Sequence, residues 1–171
     1  MDTISTVVDM INLIEYYDPH TPIPMPQHSF ILPKLLWSIK AIETTLSITL
    51  HSDIKQLWNE TSGLLLFYDT TYGQWGLIIW SPDQAIIRHQ RYITETYAAI
   101  HDFQIGDCII GEFFGDTDLL IVRCDPTKPD FGTVIVTSLI DSRDNWSRVA
   151  SSLTEFLTKF ITHYGQKYWE K

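Results

Sequence analysis

Three carboxylates are the residues of this sequence whose types and spacing could do chemistry. Glu112 lies shortly before Asp116 and Asp118, which belong to the motif Gly115-Asp116-Thr117-Asp118. Carboxylate oxygens that converge on one point could hold a hard divalent cation and so serve a metal-dependent hydrolase. The spacing of an EF-hand loop is missing, however, and two aspartates separated by one residue are ordinary turn chemistry. The sequence therefore favours a turn here, and it predicts no metal or other cofactor.

Other catalytic arrangements are also missing from the sequence. It contains no G-x-S-x-G elbow, no phosphate-binding glycine loop with a lysine, no G-x-G-x-x-G and no H-E-x-x-H. The six histidines are scattered, and none forms the i, i+4 pair that would bind a metal from one helix face. Cys108 and Cys124 belong to no C-x-x-C or zinc-type cluster and are predicted to be reduced core thiols. We therefore predict that the protein is not an enzyme.

Recognition of a partner protein is a better-supported role for the loop aromatic residues and the three acids. Tyr72 and Trp75 bracket a predicted hairpin turn, where a loop-borne aromatic side chain could anchor a partner. Trp75 could instead fold back onto the sheet edge. Together with the three acids this gives the predicted partner-binding residues, which are Tyr72, Trp75, Glu112, Asp116 and Asp118.

The element that must position the acids is a hairpin over residues 108–125. Two apolar runs flank the turn, and Gly115 can adopt the positive φ that a turn requires. Each run is apolar on both faces, which predicts a central strand pair covered on both sides. An unbulged hairpin centred on Asp116 and Thr117 would put residue 108 opposite 125, so that the two cysteine sulfurs would point to opposite faces.

The remaining elements are predicted from periodicity. Apolar residues at helical spacing predict helices at 3–17, 33–46, 53–60 and 153–164, with Ser52 and Ser152 as N-caps. Runs rich in β-branched and aromatic residues predict strands at 63–69, 74–81 and 132–141. Residues 82–100 are compatible with a helix or with a mixture of helix and strand. Residues 18–27 contain four prolines and predict a linker, with a proline-rich ligand as the alternative.

This order of elements predicts a single α+β domain with a largely antiparallel mixed sheet packed by helices. We divide the chain into residues 1–32, an N-terminal helix with a proline-rich linker, and the α+β domain of residues 33–171. The 171 residues carry a formal net charge of -9 and no basic run, which argues against direct binding of nucleic acid. An acidic surface favours a basic partner, although it also serves solubility. No signal peptide and no membrane-spanning run is evident, so the cytoplasm is the expected location.

Several motifs resemble those of a known family. The run GEFFGDTDLLIVRCDP, the later GTVIV and WSRVASSLTEFL, and DIKQLW before Ser62-Gly63 occur in an order that resembles the SUKH superfamily over residues 33–161. That superfamily includes a yeast cell-wall-synthesis regulator, the Syd protein and many bacterial immunity proteins. The resemblance implies an α+β binding domain without catalytic residues, either an immunity protein that neutralises a toxin, often a nuclease, or a regulatory scaffold for host proteins. It does not define the oligomeric state.

Overall fold

The computed structural model describes residues 3–14, 27–94, 102–138 and 140–170. The helices in these ranges are α1 (Ile4–Ile14), α2 (Ile39–Leu46), α3 (Ser52–Glu60), α4 (Pro82–His89) and α5 (Leu153–Thr162). The strands are β1 (Gln27–Ile31), β2 (Leu64–Asp69), β3 (Leu77–Ile79), β4 (Asp107–Phe113), β5 (Leu119–Arg123), β6 (Val134–Thr137) and β7 (Ser147–Ala150). One π-helical turn, Gln90–Thr94, continues α4, and one 3₁₀ turn, Arg143–Asn145, precedes β7.

The seven strands form one sheet in which spatial order follows chain order. Each strand pairs antiparallel with the next, from β1 at one edge to β7 at the other. This confirms the α+β class with an antiparallel sheet packed by helices. Neither β1 nor β7 was predicted from the sequence, because β1 follows the prolines of the predicted linker and β7, Ser-Arg-Val-Ala, contains no apolar run and only one β-branched residue.

The central hairpin forms as predicted, with β4 and β5 in the middle of the sheet. All five residues of β5 and six of the seven in β4 are buried, so both faces are covered. Gly115 in the turn has φ 82°, and a Cβ there would overlap the backbone carbonyl oxygen of Gln74. The turn therefore packs directly against the loop between β2 and β3, and only glycine fits this contact.

The predicted register of the hairpin is wrong. Cys108 lies opposite Val122, and the pairing shifts between Ile109 and Gly111 at a β-bulge. Cys124 is two residues beyond Val122 and so lies on the same face as Cys108, not on the opposite one. The thiols are free and buried, and a hydrogen bond with Cys124, together with burial, raises the pKa of the Cys108 thiol.

Helices cover both faces of the sheet. Neighbouring strand residues point to opposite faces, and on β4 the Phe113 ring packs against Phe160 of α5 at a centroid distance of 6.0 Å. Glu112, the preceding residue, reaches Arg88 of α4 at 3.9 Å. The α5 helix therefore covers one face, where it contacts α1 and α3, and α4 covers the other, where it contacts α2.

Two predicted helix starts differ from the structure. The α2 helix begins at Ile39, with the Ser38 hydroxyl accepting from the Ala41 amide, and not at residue 33. Leu36, predicted on its apolar stripe, lies before the helix and is exposed. The N-cap of α3 is His51, whose Nδ1 accepts from the Asp53 amide, because Ser52 already lies inside the helix.

Helix α1 belongs to the same core as the rest of the chain. Ile4, Val7 and Ile11 are buried, and the helix packs against α3, α5 and β1. The end of the predicted helix at 15–17, the linker prolines at 19–26 and residues 95–100 of the ambiguous segment lie outside the described residues. The described part of that ambiguous segment is helical.

Candidate functional site

Tyr72 lies in the loop between β2 and β3, at the same end of the sheet as the Gly115 turn. The Asp69 carboxylate fixes this loop because its Oδ1 accepts from the amides of Thr71, at 2.8 Å, and of Tyr72, at 3.2 Å. Tyr72 is 70% exposed. The loop thus presents a large aromatic ring to solvent on a backbone held by hydrogen bonds.

Trp75 sits between the two roles that the sequence left open. It is half-buried and borders a small cavity together with Phe113, Phe114, Asp116 and Lys167. Its backbone carbonyl accepts from the Asp69 amide at 3.0 Å. The indole is therefore part of the wall between the loop and the hairpin turn, with one part of its surface open.

The two aspartates of the turn bind a lysine from the end of the chain. Lys167 Nζ lies 2.6 Å from Asp116 Oδ2 and 2.7 Å from Asp118 Oδ2, and its side chain is 9% exposed. Burial opposes the charge, but the hydrogen bonds with both aspartates outweigh it and raise the pKa of Lys167. The ammonium group thus takes the place between the carboxylates that a metal cation would need.

Glu112 is not part of this cluster. It lies on the face covered by α4, where it pairs with Arg88, so the three carboxylates do not converge. Within the described ranges, no three His, Cys, Asp or Glu side chains are grouped so as to hold a metal ion. The structure therefore brings Trp75, Asp116 and Asp118 together and places Glu112 elsewhere. We call Tyr72, Trp75, Asp116, Asp118 and Lys167 the tip surface.

A second ionic cluster, which was not predicted from the sequence, lies at the other end of the same hairpin. Asp107 and Arg123 are directly opposite each other on β4 and β5, and Arg123 Nη1 donates to Asp107 Oδ1. Arg143 donates from Nη1 to Asp107 Oδ2 at 2.7 Å and from Nη2 to Oδ1 at 3.0 Å. Arg123 Nε also donates to Asp130 Oδ2 at 3.0 Å. We call Asp107, Arg123, Asp130 and Arg143 the buried ion cluster.

Asp107, the carboxylate at the centre of the buried ion cluster, has no free acceptor position. The Gln104 amide adds a further donor to Asp107 Oδ2, so that each oxygen of this carboxylate accepts two hydrogen bonds. A general base needs a free lone pair within reach of its substrate, which Asp107 does not offer. In the sequence, Asp107 precedes one apolar run and Arg123 follows the next. Only the correct strand register shows that the two residues are paired.

His89 lies beside this cluster at the end of α4. The side chain is 6% exposed, and burial lowers the pKa of the imidazole to about 4 although the Asp107 charge acts in the opposite sense. The ring is therefore neutral at pH 7. Its Nδ1 has no hydrogen-bond partner among the residues that the structure describes.

Residues 36–159, which contain both ends of the hairpin, match the model of the SMI1 / KNR4 family (SUKH-1). The match covers more than half of the chain. The chain belongs to the SMI1 / KNR4 family (SUKH-1).

The SUKH-1 match begins just before α2 and ends within α5. It includes the Gly115 turn and the buried ion cluster, while α1, β1 and Lys167 lie outside it. The division after residue 32 stays a prediction. A comparison with curated proteins found no significant match.

One further observation concerns membranes. Within residues 3–14, 27–94, 102–138 and 140–170, this SUKH-1 chain forms no helix that is both long enough and apolar enough to cross a bilayer.

Proposed function

We propose that this SUKH-1 domain is a non-catalytic protein-binding module that acts as an immunity protein in the cytoplasm. Its partner in this proposal is a cognate toxin with a basic surface, such as a nuclease domain. The observation that carries the proposal is the tip surface, where the loop that presents the exposed Tyr72 packs against the turn that carries Asp116. Family membership supports the binding role.

The tip surface has features that favour recognition of a protein. An exposed tyrosine on an ordered loop buries a large area at low entropic cost when a partner covers it. The Asp116 carboxylate is 45% exposed although it contacts Lys167, so it can also receive a basic side chain from a partner. Because Gly115 packs on Gln74, both loops keep their relative position before binding.

The overall charge supports a basic partner. The net charge of -9 creates an attractive long-range field for a positively charged toxin domain and accelerates encounter. The same charge would compete with nucleic acid for the basic surface of a nuclease, and it disfavours direct binding of nucleic acid by the domain itself. Masking of that basic surface is the mechanism that we propose for neutralisation.

The test is co-expression with the product of the adjacent gene. We expect the wild-type chain to bind that product and to restore growth of a bacterial host that the product alone inhibits. Replacement of the exposed anchor, Tyr72→Ala, should weaken binding roughly thirtyfold, which corresponds to about 2 kcal/mol for an interface anchor. Isothermal titration calorimetry with the purified pair measures this change.

A matched pair of charge variants controls for net charge. Asp116→Asn should lower the association rate about threefold, because a charge that faces the partner steers encounter. Asp144→Asn makes the same change at an exposed residue outside the tip surface and should leave the rate unchanged. Equal effects of the two variants would remove the tip surface from the proposal. Binding without growth rescue would replace the toxin hypothesis by the regulatory scaffold. Absence of both binding and rescue would refute the toxin hypothesis.

A further inference from the structure

The two edges of the sheet differ in how their outer side is closed. At one edge, β7 carries the exposed Arg148, and a bulge in its pairing with β6 has Val149 as the extra residue. The Val149 carbonyl also accepts from the Tyr168 hydroxyl at 2.8 Å. Charged side chains, bulges and covering segments are the usual means by which proteins keep a sheet edge from pairing with another chain. The β7 edge is therefore protected.

The β1 edge lacks these protections. The strand Gln27–Ile31 contains no aspartate, glutamate, lysine, arginine or proline. The bulge in the β1–β2 pair has its extra residue on β2, so that β1 itself stays regular. Within the ranges that the structure describes, β2 is the only strand that pairs with β1. The outer side of β1 is thus the edge that can pair with a further strand.

The backbone groups of β1 alternate between β2 and the outer side. The amide of Leu32, directly after the strand, donates to the Gly63 carbonyl at 3.0 Å, so this position faces β2. Alternate residues of an antiparallel strand direct their N–H and C=O groups the same way, so Phe30 also faces β2, whereas Ser29 and Ile31 direct theirs outward. Among the described residues, no loop or turn backbone bonds these outward groups.

The charge and the side chains of β1 favour a second copy of this chain as the occupant of the edge. The chain has a net charge of -9, so two copies approach most easily at a surface without acids, and β1 is such a surface. On one face of β1 the rings of His28 and Phe30 stack at a centroid distance of 6.1 Å, and Phe30 is 46% exposed. Aromatic side chains that meet across an antiparallel pair stabilise it. A basic partner, in contrast, is attracted to the acids of the tip surface and not to this neutral edge.

We propose that the chain forms a symmetric dimer in which β1 pairs antiparallel with β1 of a second copy. The two-fold axis passes through Ser29, so that the outward N–H and C=O groups of the two Ser29 residues bond each other, and those of Gln27 bond those of Ile31. His28 then lies opposite the partner's Phe30. The two sheets join into one continuous sheet, and both unprotected edges disappear. The dimer does not rest on the proposed binding of a toxin.

The first test is sedimentation equilibrium of the full chain over a range of concentrations. One chain has a mass of 19.8 kDa, and we expect the average mass to approach twice this value, with a dissociation constant of roughly 10–100 μM for so small an interface. An increase from about 0.05 to 0.5 M NaCl should tighten the dimer by about threefold, because salt screens the repulsion between two acidic chains. Binding of a basic toxin should weaken over the same range. A monomer at all concentrations up to the millimolar range would overturn the proposal.

A matched pair of variants separates dimerisation from folding. Phe30→Lys places a charge on the edge and should weaken the dimer at least about tenfold. Its melting temperature, measured at a concentration at which the chain is monomeric, should stay close to that of the wild type. Ile140→Lys is the matched control, because Ile140 is 87% exposed and lies outside β1; it should dimerise like the wild type. Loss of the dimer in both variants, or in neither, would contradict the proposal.

Cross-linking tests the register of the two strands. Positions 28 and 30 of different copies face each other as a non-hydrogen-bonded pair, where the Cα atoms are about 4.5 Å apart and a disulfide can form. A mixture of His28→Cys and Phe30→Cys chains should therefore give a disulfide-linked dimer with diamide as the oxidant. Each variant alone should cross-link several times less, because its cysteine lies diagonal to its own copy. The native cysteines are buried and present in every sample. Equal cross-linking in all three samples, or none, would refute the register.

A strand of a different protein is the other possible occupant of this edge, and the assays distinguish the two. A chain that is monomeric alone but loses its toxin binding in Phe30→Lys would overturn the dimer and assign the edge to the toxin. A dimer that gives no growth rescue would keep the proposed pairing and remove the immunity role.

Discussion

The two ends of the central hairpin hold ionic clusters of similar composition but different burial. At the tip surface one lysine lies between two aspartates, and Asp116 keeps 45% of its side chain exposed. At the opposite end one aspartate lies between two arginines, and Asp107 and Arg123 are buried. The difference teaches that charge alone does not define a site. The exposed cluster keeps a carboxylate available to a partner, whereas the buried one uses every oxygen of Asp107 within the fold.

The two clusters also differ in their cations, which are arginines at the buried end and a lysine at the tip surface. The planar guanidinium groups of Arg123 and Arg143 offer several donors in fixed directions, which lets them saturate a carboxylate without water. The ammonium group of Lys167 is a compact charge that holds Asp116 and Asp118 together. The buried cluster therefore fixes the strand ends, while the tip cluster tethers the segment after α5 to a turn.

The largest expected effect comes from the buried end. Asp107→Asn leaves Arg123 buried with only Asp130 as an ionic partner, and removal of one partner from a buried pair costs about 3–5 kcal/mol. Urea unfolding should show this loss in the free energy of unfolding. Asp130→Asn is the milder control, because Asp130 accepts one hydrogen bond from Arg123 and is partly exposed. If Asp107→Asn costs less than Asp130→Asn, the four hydrogen bonds to Asp107 are not what stabilises this end.

The pH dependence of stability tests the burial of His89, which lies beside the buried ion cluster. Its pKa is about 4 in the folded protein and near 6.5 in the unfolded chain, so between these values only the unfolded state binds the proton. Stability should therefore fall as the pH is lowered from about 6.5 to 4, by at most about 3 kcal/mol from this residue. The measurement is the difference between wild type and His89→Phe in urea unfolding across this range. A constant difference at all pH values would show that His89 is not held neutral.

Sequence patterning predicted the fold class because the long apolar segments have clear helix or strand patterns. The alternation-free runs around residues 108–125 predicted a doubly covered hairpin, and Ser152 predicted the start of α5, where its hydroxyl accepts from the Glu155 amide at 3.1 Å. Local rules were enough for these elements because each depends on residues close in sequence. Ser38 and His51 show the limit, since several polar residues near a helix start can serve as its cap.

Features that depend on register or on distant residues were not predictable in the same way. The bulge between Ile109 and Gly111 changes which residues face each other, and it hid both the cysteine contact and the pairing of Asp107 with Arg123. The cation for Asp116 comes from Lys167, 51 residues away, and no local pattern connects them. The predicted site therefore gained its acids from the sequence but its geometry only from the fold.

The smallest effect is expected at the tip surface. Lys167→Gln removes the shared cation from Asp116 and Asp118, and it should lower the free energy of unfolding by about 1 kcal/mol, because Asp116 keeps 45% of its side chain exposed and water screens its charge. The loss should shrink further in 1 M NaCl, where the Debye length falls to about 3 Å.

Lys159→Gln is the matched control for an ordinary surface pair, since Lys159 Nζ lies 2.6 Å from Glu155 on the outside of α5. Urea unfolding at low and high salt compares the two. A salt-independent loss as large as that of Asp107→Asn would place the tip in the same energetic class as the buried ion cluster and would remove the physical basis for treating it as an open binding surface.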